Sequence, residues 1–340
     1  MSDEPPDVRA DGVPGRPPFI SNANKLGYLP PFDGMRGIAV CMVILVHATF
    51  EPFGGFAGTV DVFFVLSGFL ITTLLLEEHR RGGRVDLRRF YTRRALRLLP
   101  LMYLVLFGTL LAALVVHLVT DNRDLLNKAA GDALAGGTYL YHVVHPVHTE
   151  LVGGGPPEIR PLLHLWSLTV EEHFYLFGAL LIIAAVRRNW LQWVAGAFVA
   201  CWVAIGVARL TGHVGPLFAW YQRPDSLMLG VVVAFINARI PAQLSDTAGR
   251  RLRIAAWVAT GTLLATFLVG TWFAKPLGWF VPFLVPKGGS LHDGLYWGEF
   301  GFTLIAASVA VMCFTFARYR DHPVARFFSW KPFTALGRRS

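Results

Sequence analysis

Residues 98–119 read LLPLMYLVLFGTLLAALVVHLV, a run without a single Asp, Glu, Lys or Arg. As a helix it is about 33 Å long, which matches the ~30 Å hydrocarbon core of a bilayer. Immediately before it, residues 90–97 read FYTRRALR. The chain thus passes abruptly from arginine-rich to charge-free, as a span does where it leaves a basic cytoplasmic edge. Working outward, Ile254 to Trp272 and Phe302 to Ala317 with its flanks have the same character. The whole chain of 340 residues is 54% hydrophobic and 16% charged. That balance is more apolar than a soluble domain of this length carries, and it excludes an ordinary cytosolic enzyme.

Windows of about 19 residues place spans at 33–50, 59–76, 98–119, 164–186, 191–210, 224–238, 254–274 and 299–317. The expected fold is an all-α polytopic membrane protein, a helical bundle with about eight spans. If the basic connections 77–97, 187–190, 239–253 and 318–340 are cytoplasmic, all eight spans alternate consistently and the N-terminus is cytoplasmic too. Residues 1–29, rich in Pro, Gly and mixed charge, read as a disordered cytoplasmic arm and lack the apolar core of a signal peptide. The inner (plasma) membrane is the expected location.

The net charge of +9 sits in the short connections between spans, so it speaks for topology and contact with the lipid bilayer, and no nucleic-acid partner is expected. Residues 120–163 form a long external segment, part of which, around Gly131 to Tyr141, has the character of a weak or re-entrant span. Its His142, His145 and His148 lack accompanying carboxylate or cysteine ligands and read as loop histidines, so no metal is expected. Cys41, Cys201 and Cys313 all lie in apolar runs, too far apart for a metal motif, and read as packing residues.

Charges inside spans are the exception that carries information, because each costs several kcal/mol unless it pairs or faces water. Asp33, Arg36 and His47 lie in the first span, Asp61 in the second, and Glu171, Glu172 and His173 in the fourth. Arg223 and Asp225 open the sixth. His47 is ~21 Å up a helix from Asp33, and Glu171 ~10 Å down one from His164. If those helices start at opposite faces, a histidine and a carboxylate arrive at one level. There the carboxylate would fix the imidazole tautomer and raise its basicity, as removal of a hydroxyl proton requires. Arg88, Arg89, Arg93, Arg94 and Arg97 form a second cluster, and guanidinium forks of this kind suit phosphate esters. Ion pairs that only pin helices, and arginines that only set orientation, are the plainer readings of the same residues.

Five stretches resemble, in order, the membrane-bound acyltransferase family 3. They are Phe32-Asp-Gly-Met-Arg-Gly-Ile-Ala-Val40 with Val46-His47-Ala48, Val60-Asp-Val-Phe-Phe-Val-Leu-Ser-Gly-Phe-Leu-Ile71, and Phe90-Tyr-Thr-Arg-Arg-Ala-Leu-Arg-Leu-Leu-Pro100. The last two are His164-Leu-Trp-Ser-Leu-Thr-Val-Glu-Glu-His-Phe-Tyr175 and Arg223-Pro-Asp-Ser-Leu-Met-Leu-Gly230. The resemblance covers 30–340. It implies O-acyl transfer, often O-acetylation, from acyl-CoA (acetyl-CoA) to a cell-envelope glycan, a glycolipid or a glycosylated small molecule, with acyl-CoA as donor substrate and no permanently bound cofactor.

By the same resemblance His47 is the catalytic base and Arg36 its companion, with Asp61, Glu171 and Glu172 in the core of the site. Arg93, Arg94, Arg97 and Ser67 would bind the donor. Trp166, Ser167 and Tyr175 would line the acceptor site, with Arg223 and Asp225 at its outer end. Direct attack by the deprotonated acceptor and an acyl-histidine or acyl-Ser67 intermediate are both compatible with these residues.

Two features depart from the family pattern. His173 stands where the family has glutamine, which keeps a hydrogen-bonding group. The family also continues beyond Leu-Gly-Arg-x-Ser, here Leu336 to Ser340, into two more spans, so a C-terminally truncated domain over 30–340 is expected. A proton-coupled transporter is the competing reading of the buried charges, although the inverted repeats usual in transporters are not evident.

Overall fold

The structure, a computed structural model, describes residues 27–49, 56, 58–141, 162, 164–210, 225–241, 243–269 and 301–340, with the backbone alone at 47–49 and 209–210. Every regular element among them is helical. The long ones are α1 (Pro30–Thr49), α2 (Thr59–Gly82), α3 (Leu87–Thr120), α4 (Arg123–Gly137) and α5 (Leu165–Arg187). After them come α6 (Leu191–Leu210), α7 (Asp225–Arg239), α8 (Asp246–Leu268) and α9 (Phe302–Arg318), and then the short α10 (Pro323–Phe328) and α11 (Lys331–Arg339). Each of the eight apolar runs falls on a helix. By length and composition α2, α3, α5 and α6 (over Leu191–Ala208) are able to cross a membrane. The arm before residue 27, the three loop histidines, the 275–298 loop and Arg223 lie outside the described residues.

Two boundaries differ from the hydropathy reading. The arginine-rich stretch is not a loop but the first three turns of α3. Gly83 reverses the chain in the left-handed region (φ 64°), and the Asp86 side chain then caps the helix by accepting from the Arg89 amide at 2.9 Å. Hydropathy cannot see this start, because arginine is a good helix former that lipid excludes. The segment after α3 is also helical. Asp121 turns the chain with φ 55°, Asn122 caps α4 at the Leu125 amide, and α4 runs back along α3 until Tyr103 donates to the Gly137 carbonyl at 3.3 Å. Its buried face is mostly small, Ala129, Ala133, Ala135 and Gly136, which lets the returning helix lie close.

Helices in lipid gain nothing from hiding apolar area from water, so packing decides their order. The apolar window of α2 is 72% buried and that of α6 only 6%, which makes α2 the central post and α6 a lipid-facing helix. Among the described residues, the α2–α7 crossing is one of two glycine-mediated close approaches in the bundle, the other being that of α1 with α10 and α11. A Cβ on Gly68 would run into the Leu227 carbonyl, and one on Gly230 would sit 2.9 Å from the Phe69 amide nitrogen. The same pair of helices is joined by Ser226, whose Oγ donates to Asp61 Oδ1 at 2.6 Å with both residues fully buried.

Two further devices close the bundle. Arg318, ending α9, donates to Asn237 Oδ1 (2.9 Å) and to the carbonyls of Asn237, Ile240 and Pro241, and so satisfies the open C-terminus of α7. α11 crosses α1 at Gly37 and Gly337, so Ser340 reaches the space between α1 and α3. At the basic end of the bundle Arg188 lies over the half-exposed Trp190 ring, 5.0 Å from its centroid, the pairing expected at a bilayer interface.

Candidate active site

A cleft of about 1090 Å³ runs along the full length of α2, from Val60 in its first turn to Gly82 in its last. The basic start of α3 walls one end, with Arg89, Arg93 and Arg97, and Arg84 stands nearby. His164, Trp166 and Ser167 of the α5 entry stand in the same wall further along. Spacing along α3 explains the ladder, because residues four apart share one helical face.

Midway, α2 and α5 meet through a carboxylate. Ser67 Oγ donates to Glu171 Oε1 at 3.0 Å, and Tyr175 OH donates to Oε2 at 3.2 Å. Glu172, next in the chain, accepts from Arg94 Nη1 at 3.5 Å. The Arg94 guanidinium carbon lies 3.1 Å from the centre of the Tyr175 ring. Two acids at neighbouring positions inside a span are tolerable only because one receives two hydroxyls and the other a guanidinium. Arg36 of α1 and Arg97 of α3 each place Nη2 3.3 Å from the Ser340 carbonyl, so two cations from different helices converge below the carboxylates.

The local backbone at this point is unusual. Residues Phe174–Gly178 widen from α-helix into a π turn directly after the two glutamates. Such a turn loosens the carbonyl ladder, and Tyr91 OH donates to the carbonyls of Leu176 (3.0 Å) and Tyr175 (3.3 Å). Tyr91 was not singled out from sequence, and neither was the Ser340 carbonyl. A lone tyrosine beside arginines gives no signal of a partner 85 residues away.

Of the residues read from sequence, Arg36, Ser67, Arg93, Arg94, Arg97, Trp166, Ser167, Glu171 and Tyr175 line the cleft. Trp166 packs edge-on to Phe64 at 6.1 Å, and Ser167 donates to the His164 carbonyl at 3.1 Å. Asp61 and Asp225 are fully buried and do not line it, and Glu172 stands behind it on Arg94.

Position 47 and Glu171 stand at different levels of the bundle, not at one level as the helix lengths alone suggest. Thr59 Oγ1 lies 3.9 Å from Met42 Sδ, which puts those residues at one level of the α1–α2 pair. His47 lies beyond Met42 in one direction, and Ser67 with Glu171 lies beyond Thr59 in the other, a separation of ~20 Å along the axes. The reason is that α5 starts deeper in the bundle than the end of α1. Trp166, in its first turn, already packs against Phe64, ~7 Å below Thr59. Position 47 does share the stripe of Arg36, Val40 and Val43 on α1, the last three of which line the cleft, because an offset of 11 residues returns to nearly the same face. The His47 side chain itself lies outside the described residues.

A family model described as an acyltransferase domain, of the acyltransferase 3 type, matches residues 30–340. Similar proteins include a putative peptidoglycan O-acetyltransferase, YrhL, of Bacillus subtilis, 30% identical over 334 residues, which are 92% of this chain and 47% of that one. The peptidoglycan O-acetyltransferase OatA of Listeria monocytogenes is 29% identical over 329 residues, 92% of this chain and 48% of its own. The O-acetyltransferase OatA of Staphylococcus aureus is 30% identical over 324 residues, 92% and 49%. The chain spans about half the length of the curated relatives it matches. No solved structure matches it.

Proposed function

The chain belongs to the acyltransferase 3 family of membrane proteins, and from that premise we propose that it transfers an acyl group, acetyl in the first instance, from acyl-CoA to a hydroxyl of a cell-envelope glycan. The observation that carries this reading is one cleft with a ladder of arginines at its basic end and a charge-compensated carboxylate in its middle. Coenzyme phosphates suit Arg89, Arg93 and Arg97. An arm as long as about four extended residues spans ~14 Å, close to the ~16 Å of helix between Arg36 and position 47. The thioester would then arrive near the level of His47 while the nucleotide stays among the arginines.

In this reading His47 accepts the proton of the acceptor hydroxyl as its oxygen bonds to the thioester carbonyl carbon. The carbon–sulfur bond breaks, and the coenzyme leaves as a thiolate that takes up a proton. Glu171, held by Ser67 and Tyr175 midway along the cleft, directs the bound donor arm so that the thioester meets His47 aligned for attack, while affinity for the donor rests on the arginines. The acceptor follows the relatives, whose names specify peptidoglycan, so muroglycan strands are the first to test. The protein would sit in the plasma membrane with the α3 arginines and the N-terminus in the cytoplasm. Family membership favours this over the transporter reading.

The test is mass spectrometry of envelope glycans with and without the gene, paired with acetyl-CoA consumption by the purified chain. Loss of an O-acetyl ester on deletion, with acceptor-dependent thiol release in vitro, is the expected result. A folded protein that neither binds CoA nor consumes acetyl-CoA would end the reading.

A further inference from the structure

The arginines beside the cleft are not equivalent, and we infer that Arg94 is a positioning residue for the Glu171–Glu172 pair, while the donor phosphates are left to Arg97, Arg93 and Arg89. This rests on the acyl-CoA reading above and divides its basic cluster by geometry. Arg94 and Arg97 are three residues apart and share a face in sequence, yet they serve different neighbours.

Recognition of a phosphate by arginine uses a free in-plane edge of the guanidinium, where two N–H groups reach two oxygens at once. Arg94 turns one end of its guanidinium to Glu172 and leaves only 21% of its side chain exposed. Nη1 faces Glu172 Oε1 at 3.5 Å, and Nε is buried without a hydrogen bond among the described residues. One flat face lies on the Tyr175 ring at 3.1 Å, and the Phe90 ring is 5.8 Å away. The ring beneath Arg94 is the one whose hydroxyl holds Glu171. A single side chain therefore pins both neighbours, Glu172 by charge and Glu171 through the tyrosine. Arg97 by contrast is exposed and donates to the Ser340 carbonyl at 3.3 Å, and Arg93 and Arg89 are exposed in the cleft wall.

A lysine at position 94 keeps the charge but cannot stack flat on Tyr175 while reaching Glu172. The full chain in nanodiscs, with acetyl-CoA as donor and muroglycan strands as acceptor, separates the two roles. Arg94→Lys is expected to lower kcat at least 20-fold with the donor KM within twofold of the parent. Glu172→Gln should show the same pattern, and it keeps the question open to test should Arg94→Lys fail to fold. Arg97→Lys should do the reverse, raising the donor KM at least fivefold.

A donor KM raised fivefold or more by Arg94→Lys, or a kcat left intact, overturns the assignment. So does a lower donor KM in Glu172→Gln, since a freed Arg94 would then be taking phosphate. Failure of the acyltransferase reading looks different, because the unaltered protein itself would then show neither CoA binding nor turnover.

Discussion

Ser67 of α2 donates its hydroxyl hydrogen to Glu171 of α5 across 3.0 Å, in the middle of a cleft that both residues line. Serine inside a helix usually returns its hydrogen bond to a carbonyl one turn back, so a cross-helix partner marks a site where the carboxylate has the greater need. Glu171→Gln is expected to reduce acyl transfer at least 100-fold. Ser67→Ala, which leaves Tyr175 on the carboxylate, should cost roughly tenfold, the worth of one hydrogen bond to a charged group. If Ser67 instead carries the acyl group, Ser67→Ala abolishes transfer, and the parent protein shows an acyl mass adduct at Ser67 after incubation with acetyl-CoA.

A general base contributes roughly 10² to 10⁴ in rate. His47→Ala is therefore expected to lower turnover by that range while donor affinity stays within twofold, because position 47 lies ~16 Å of helix away from Arg36 and the donor arginines. The measurement is steady-state kinetics with size-exclusion and helical circular dichroism as folding controls. Turnover retained within tenfold would remove the base role.

The α2–α7 crossing predicts a contrast between glycines. Gly68→Ala forces a methyl against the Leu227 carbonyl, a backbone atom that cannot swing aside, and should cost about 1–3 kcal/mol of stability. Gly108→Ala on the outer face of α3 meets nothing within 4 Å among the described residues, and removing a helical glycine there should be neutral or gain up to about 1 kcal/mol. Thermal unfolding in one detergent compares the two directly.

Arg318 supplies four hydrogen bonds to the end of α7, and only a guanidinium can reach all four acceptors. Arg318→Lys should leave carbonyls of the last turn unpaired, at about 1–3 kcal/mol. Hydrogen exchange is expected to speed up in residues 235–241 and stay unchanged in α2. Equal protection of the α7 end in both proteins would contradict the capping role.

Much of the site was readable because its residue types are improbable where they occur. Arg36, Glu171 and Glu172 stand out in apolar runs as functional candidates, and the first two line the cleft, together with the clustered Arg93, Arg94 and Arg97 and with Ser67, Trp166, Ser167 and Tyr175, which only the family resemblance pointed to. Their pairing was not readable. Matching His47 to Glu171 required the depth at which each helix starts, and α5 starts well below the end of α1. Asp61 stood out by the same rule, yet it is taken up by Ser226 in the α2–α7 contact.

The helical class follows from the chain alone, since a bilayer demands that each crossing segment satisfy its own backbone, and hydropathy reports that locally. Which faces meet is a different matter. A helix such as α3 beyond Leu98 is apolar on every side, so its sequence does not distinguish the side against protein from the side against lipid, and small differences in close packing choose between them. Only the folded bundle assigns Gly68 to Gly230, Tyr91 to the widened turn of α5, and Arg94 to the ring of Tyr175. Each of those relations joins residues at least 80 positions apart, where the physical cause is shape complementarity between two helices rather than a property of either.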